Sequence, residues 1–114
     1  MQYHEPSPIA KATAQQIFES GDINKICDAL VAIAFYEEDW LWAQNICLDF
    51  LSSDNNALSS LAATCLGHIA RIHGKLNRAK VIAALKSHAN NAAIAGNIDD
   101  ALGDIKRFAT EASI

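Results

Sequence analysis

The sequence contains few residues that interrupt helices, with only five glycines and two prolines among 114 residues. Proteins built from β-sandwiches need frequent turns that are rich in these residues, so the composition disfavours them and favours helices. No window of the sequence approaches the roughly 18 apolar residues of a membrane-spanning helix. We therefore expect an all-α protein, and its length fits a single domain.

Basic residues are also scarce, since nine Lys and Arg stand against thirteen Asp and Glu, for a net charge of −4. Surfaces that bind nucleic acid are normally basic, because neutralisation of phosphates supplies most of their affinity. The sequence therefore predicts no direct nucleic-acid binding and suits a basic protein partner. A charge of this size also serves simply to keep a small domain in solution, and both explanations stay open.

Cysteine is limited to Cys27, Cys47 and Cys65, which are odd in number and surrounded by apolar residues. This pattern predicts buried, reduced thiols, and it fits neither a disulfide framework nor a metal site. The residues that follow Met1 show neither the basic start nor the apolar stretch of a secretory signal. Together these observations predict a cytoplasmic protein that does not associate with membranes.

Motifs for catalysis and ligand binding are missing as well. The spacing of His68 and His73 does not match a zinc-binding H-E-x-x-H helix. Cys65 adjoins Leu66 on an apolar side of its helix, where burial raises the pKa of a thiol and makes it less reactive. No glycine-rich phosphate loop is present. We therefore expect no enzymatic activity, no metal ion and no cofactor.

The sequence does contain an internal repeat. The segment 28–33 recurs at 64–69 and again at 100–105, so both steps are 36 residues long. In each copy apolar residues follow the spacing i, i+3, i+4 and i+7, which describes one face of a helix. A second helical pattern precedes these copies, and its segment 47–51 recurs at 81–85, a step of 34 residues. The difference between the two steps predicts a longer loop in the last repeat.

Capping residues predict where the helices begin and end. We predict no strand and six helices, at about 8–20, 23–36, 40–51, 56–72, 77–88 and 92–109. Ser7, Asp22 and Asp39 precede the first three helices, and their side-chain oxygens can accept hydrogen bonds from N–H groups of the first turn. Gly21 and Gly74 follow the first and fourth helices, because glycine readily adopts the left-handed conformation that ends a helix.

Repeats of this length, each an antiparallel helix pair, are typical of an α-solenoid. One helix pair cannot cover its own apolar stripe, so neighbouring pairs stack and share a core. We predict about three stacked pairs, with repeats at 8–36, 39–72 and 76–109. The equivalent spacing of Gly67 and Gly103 predicts close helix packing at both. The curved faces of such proteins usually bind proteins or peptides.

The first candidate group for partner binding surrounds the start of the third helix. Glu37, Glu38 and Asp39 immediately precede Trp40, and Trp42 follows two residues later. Carboxylates at this place favour the positive N-terminal end of a helix, which explains them without any partner. An exposed tryptophan beside acidic residues is also typical of a protein-binding hot spot. The two tryptophans lie far apart around the helix, so we expect one in the core and Trp42 partly exposed at the interface.

The second candidate group follows the even-numbered helices. Stacking would align equivalent positions of the repeat into three rows, which are Asp28, Thr64 and Asp100; Ala32, His68 and Asp104; and Phe35, Arg71 and Arg107. We select His68, Arg71, Asp100 and Asp104 as candidate partner-binding residues. The rows are rich in acid and have an arginine edge, and Asp99 adds to the acid. They form either a solvated face or a docking strip for a basic partner.

The stretch 40–108 resembles bacterial HEAT-repeat-like proteins. The segments that carry the resemblance are 42–48 (WAQNICL), 61–76 (LAATCLGHIARIHGKL) and 99–106 (DDALGDIK). Small proteins of this kind are similar to immunity proteins of contact-dependent growth inhibition (CDI) systems. The resemblance implies one HEAT-like domain over 1–114, wound as a right-handed superhelix. HEAT copies usually carry Pro-Asp and Arg near the inter-helix turn, whereas 55–57 reads Asn-Asn-Ala, so no functional residue of the family transfers to this chain.

Three functions follow as hypotheses. The resemblance implies an immunity protein that binds a toxin domain inside the cell, as a monomer in a 1:1 complex, and occludes the active site of a basic nuclease. The alternative is a general scaffold or adaptor of the HEAT type, for which weak binding to several partners would be typical. The third is an enzyme related to HEAT-like DNA-repair proteins or lyases, which the missing acid–base pair and the missing basic groove disfavour.

Overall fold

The computed structural model describes residues 7–111, and this part of the chain contains six helices and two short strands. The elements in chain order are α1 (Lys11–Ser20), α2 (Ile23–Tyr36), α3 (Trp40–Leu51), α4 (Asn56–His73), β1 (Lys75–Leu76), α5 (Arg78–Ser87), α6 (Ala95–Phe108) and β2 (Thr110–Glu111). The predicted all-α class is confirmed. The prediction of no strand is wrong at one place, because β1 pairs with β2 in parallel. None of the helices between residues 7 and 111 has the length and apolar character needed to cross a membrane.

Side-chain caps begin the second to fourth helices, and their starts are confirmed to the residue. An oxygen of Asp22 accepts a hydrogen bond from the N–H of Lys25, and an oxygen of Asp39 accepts one from the N–H of Trp42. Asn55 caps α4 by accepting hydrogen bonds from two N–H groups of its first turn. Such caps depend on residues adjacent in sequence, which is why sequence reasoning locates them.

The first and last helices begin three residues later than predicted. Helix α1 starts at Lys11 and not at Pro8, because the backbone before it is still extended. Helix α6 starts at Ala95 and not at Ala92. The side chain of Asn91 accepts a hydrogen bond from the N–H of residue 93, and its carbonyl accepts one from the N–H of residue 94. The Asn91 carbonyl is thus paired three residues ahead, as in a tight turn, whereas an α-helix that began at Ala92 would pair it four residues ahead. The connection 88–94 is longer than the connection 52–55, as the repeat predicted.

Helix α4 lies at the centre of the packing, against α2, α3 and α6. The helices also pack as sequential pairs, α1 with α2 and α5 with α6, while α3 contacts α5. Ile33, Ile69 and Ile105 occupy equivalent positions of the 36-residue repeat, and all three are fully buried. The repeat therefore places the same side of each even-numbered helix in the core. The superhelical hand and the repeat boundaries remain predictions.

The three cysteines are free thiols with different environments. Cys47 and Cys65 are buried as predicted, whereas Cys27 is only partly buried and corrects that prediction. A hydrogen bond with Cys65, together with burial, raises the pKa of the Cys47 thiol. Burial is also the main cause that raises the pKa of Cys27. The thiols of Cys27 and Cys47 consequently stay protonated at neutral pH, which makes them poor nucleophiles.

Candidate functional site

A groove of about 520 Å³ between α4 and α6 brings together four of the eight candidate residues. Its lining side chains include the candidates His68, Arg71, Asp100 and Asp104, with Thr64, Asp99 and Arg107 beside them. The groove thus collects members of all three rows that the repeat predicted. Its charges are distributed unevenly, because all of its carboxylates belong to α6, whereas α4 and α6 each contribute one arginine.

The close approach of α6 to α4 depends on Gly67. A Cβ atom at this buried glycine would lie 2.8 Å from a carboxylate oxygen of Asp104 and 3.3 Å from the Cα of Ala101. Carbon atoms need about 3.5–4.0 Å for an optimal contact, so any larger residue here would have to turn the Asp104 side chain aside and move the backbone of Ala101 by a few tenths of an ångström. The prediction of close packing is confirmed here. It is wrong for Gly103, where a Cβ atom would meet nothing within 4 Å.

Replacing Gly103 by alanine is therefore expected to raise the free energy of unfolding by about 0.5–1 kcal/mol. Gly103 lies inside α6, where alanine restricts the unfolded chain and meets no atom in the folded one. Urea denaturation followed by circular dichroism measures the change. Gly74→Ala is the opposing control, because its φ of 65° is strained for alanine and should lower stability. A less stable Gly103→Ala variant would contradict the open space beside this residue.

Arg71 connects the two walls of the groove. Its Nη2 donates a hydrogen bond to Nδ1 of His68, and its Nε lies 3.7 Å from a carboxylate oxygen of Asp104. The ring of His68 also stands edge-on to Phe35 of α2, with 5.0 Å between the ring centroids. Burial and then the charge of Arg71 lower the pKa of His68, while Asp104 acts in the opposite direction. At neutral pH the imidazole is therefore uncharged, and its Nδ1 accepts the hydrogen bond that Arg71 donates.

The other four candidates, Glu37, Glu38, Asp39 and Trp42, lie at the turn between α2 and α3 and do not line the groove. Glu37 accepts a hydrogen bond from the N–H of Asp39, and Glu38 is exposed. Trp40 and Trp42 are both partly buried against the core, which corrects the expectation that one of them would be a core residue. This turn is therefore organised as a helix start.

Lys11 of α1 covers that turn, and the sequence analysis missed it. Its Nζ lies 2.6 Å from a carboxylate oxygen of Asp39 and 5.3 Å from the ring centroid of Trp42. The hydrogen bond from Lys11 is the main cause that lowers the pKa of Asp39, and the same bond raises the pKa of Lys11. Asp39 and the ring of Trp42 thus have partners within the chain, as Arg71, His68 and Asp104 of the groove do.

Comparison with known proteins identifies a similar chain of known structure. No family model matches the chain, and no curated protein matches it. A chain in the crystal structure of a CDI complex from Cupriavidus taiwanensis LMG 19424 is 37% identical, with a TM-score of 0.85. The match covers 96% of this chain and 99% of that chain. The chain belongs to the same family as this CDI-complex protein. The resemblance to CDI immunity proteins that the sequence predicted is thereby confirmed.

In this CDI-family chain, one further contact, which the repeat did not predict, joins α6 to α4 beside the groove. Nδ2 of Asn97 on α6 donates a hydrogen bond to Oγ1 of Thr64 on α4, with 3.0 Å between the atoms. Thr64 belongs to one of the three rows of equivalent repeat positions. Asn97 belongs to none of them, so the repeat does not predict its contact with Thr64. Within residues 7–111 of this protein, no group of three or more His, Cys, Asp and Glu side chains is arranged to hold a metal ion.

Proposed function

We propose that the protein is an immunity protein that binds a CDI toxin domain in the cytoplasm and neutralises it. The observation that carries this proposal is the likeness, over nearly the whole of both chains, to a chain of a CDI complex. The two proteins share 37% of their residues as well as the fold, so the likeness extends beyond architecture. Binding by a helical surface, without catalysis by this chain, is the mode of action that the fold supports.

The α4–α6 groove is the face that we assign to the toxin. It combines Asp99, Asp100 and Asp104 with an arginine on each wall, and Asp99 and Asp100 are exposed. Carboxylates at these positions can take the place of phosphate groups in the active site of a basic nuclease. Their negative charge would also attract the basic nuclease and so accelerate its association with this protein. The toxin that fits this face is a nuclease whose active site the groove occludes.

The proposal predicts a toxin gene directly upstream of the gene for this chain, and it is tested with the toxin domain that this gene encodes. Calorimetric titration is expected to give a 1:1 complex with a nanomolar or tighter dissociation constant. In a nucleic-acid cleavage assay, one equivalent of this protein should abolish the activity of that domain. Weak micromolar binding to several unrelated proteins would instead support the general scaffold. Binding without loss of toxin activity would contradict occlusion of the active site.

Reversing two charges tests the assignment of the groove. Asp99→Lys with Asp100→Lys is expected to slow association about tenfold or more at low salt, because both carboxylates attract the basic partner. The matched control is Asp49→Lys with Asp54→Lys, which changes the net charge equally at exposed positions outside the groove. Stopped-flow association rates at several salt concentrations measure both variants. Equal slowing in the two variants would attribute the effect to overall charge and contradict the groove as the site.

A further inference from the structure

Among the described residues, three large hydrophobic side chains are exposed, and they occupy equivalent positions of the repeat. Tyr36, Ile72 and Phe108 are 46%, 47% and 41% exposed. They are separated by 36 residues at each step, and each lies in the last turn of its helix, α2, α4 or α6. Single exposed apolar residues are common on protein surfaces. Three at one repeat position form an arrangement that chance exposure does not produce.

Contacts show that the C-terminal ends of these three helices lie side by side. Between α2 and α4, the ring of Phe35 stands 5.0 Å from that of His68. Burial lowers the pKa of His73 on α4, while the nearby charge of Glu37, just after α2, acts in the opposite direction. Between α4 and α6, a Cβ atom at Gly74 would lie 3.6 Å from the carbonyl oxygen of Phe108. The pairing of β1 with β2 joins the segments that follow α4 and α6. The three exposed side chains therefore form a row, which we call the apolar row.

Two arginines accompany the apolar row on its groove side. Arg71 and Arg107 immediately precede Ile72 and Phe108, and both arginines are exposed and line the groove. The guanidinium carbon of Arg107 lies 5.9 Å from the ring centroid of Phe108. Cations at the ends of helices also offset the helix dipole, which accounts for their charge but not for the apolar row beside them. The row thus offers apolar contact together with the forked hydrogen-bond donors of Arg107, whereas the guanidinium of Arg71 already contacts His68 and Asp104.

We propose that the apolar row binds an apolar and acidic segment of the toxin, an assignment that rests on the proposed function. An apolar side chain of the toxin packs on Ile72 between Tyr36 and Phe108, and a neighbouring carboxylate pairs with Arg107. Guanidinium groups bind carboxylates in a planar, bidentate geometry, which suits exposed arginines beside an apolar surface. The groove would then bind basic residues of the toxin at Asp99 and Asp100, while this end binds acidic ones.

A second copy of this chain is a poor occupant of the same surface. A two-fold dimer places the same patch against itself, and the apolar row contains no acidic side chain, so neither arginine would gain an ion pair from the row of a second copy. Stable interfaces also bury about 800 Å² on each partner, far more than three partly exposed side chains provide. Complementary charge therefore favours an acidic segment of a different protein.

The test uses the full chain and the purified toxin domain encoded upstream of it. Ile72→Ser and Arg107→Glu are each expected to raise the dissociation constant about tenfold or more, mainly through faster dissociation. Lys86→Glu is the matched charge control, since it reverses an exposed cation in the last turn of α5, outside the row. It should leave the dissociation constant within about twofold of the wild-type value. Melting curves of all variants establish that each one folds.

The outcomes separate this assignment from the proposed function. A wild-type protein that does not bind the toxin overturns the proposed function and this assignment with it. Wild-type binding that Ile72→Ser and Arg107→Glu leave unchanged overturns the assignment alone. A lysine scan of the Asp and Glu residues of the toxin should find one substitution that restores binding to Arg107→Glu, and failure of every one would contradict the ion pair. Dimerisation in analytical ultracentrifugation that Ile72→Ser abolishes would assign the row to self-association instead.

Discussion

Leu66→Ala is expected to lower the free energy of unfolding by about 2–5 kcal/mol, the usual result of truncating a buried leucine. Leu66 has an exposed fraction of 0%, and its helix α4 packs against three other helices. A cavity at this position would remove contacts that several elements of the fold share. Because small domains are stabilised by only about 5–15 kcal/mol, a loss of this size shifts the unfolding transition strongly.

Urea denaturation followed by circular dichroism measures that loss. The control is Ile72→Ala on the same helix, which removes an apolar side chain that is 47% exposed. We expect this control to change stability by less than about 1 kcal/mol, as is usual for surface substitutions. If the two variants unfolded at the same urea concentration, the placement of Leu66 at the centre of the core would be wrong.

Gln44→Leu is expected to lower the free energy of unfolding by about 1–3 kcal/mol, although leucine is the more apolar residue. Gln44 is fully buried in α3, and its Oε1 accepts a hydrogen bond from the backbone N–H of Asn77, with 2.8 Å between the atoms. Asn77 caps α5. Leucine provides no acceptor, so this N–H would lose its partner at the junction of α3 and α5.

The matched control for this substitution is Gln16→Leu, at an exposed position of α1. Both changes replace the same pair of side chains, so their difference isolates the buried hydrogen bond. Thermal and urea unfolding of the two variants provide the measurement. A Gln44→Leu variant as stable as the control would mean that the N–H of Asn77 finds another acceptor.

The sequence predicted the helices well where their boundaries depend on neighbouring residues. Asp22 and Asp39 cap their helices through contacts that span three residues, and the 36-residue repeat identified the core positions. The pairing of β1 with β2 was missed, because two residues at each of two distant places carry no periodic signal. The ion pair of Lys11 with Asp39 was missed for a similar reason, since it depends on how α1 lies against the turn before α3.

For the candidate site, the repeat predicted which residues align but not how they interact. It placed His68 and Asp104 in one row and Arg71 in the next, and the structure brings all three to one groove. The hydrogen bond from Arg71 to His68 requires side-chain orientations that spacing does not determine. The apolar row follows the same period and could have been found by asking which equivalent apolar positions lie outside the buried face.

The missing side chain at Gly67 sets how closely the last helix approaches α4 at the groove. An alanine at this position would push the two helices apart by a few tenths of an ångström, since Asp104 and Ala101 already lie against the glycine. Overpacking of this kind moves backbone as well as side chains. Under the proposed function, a substitution that alters no charged residue would thus change how the groove fits a toxin.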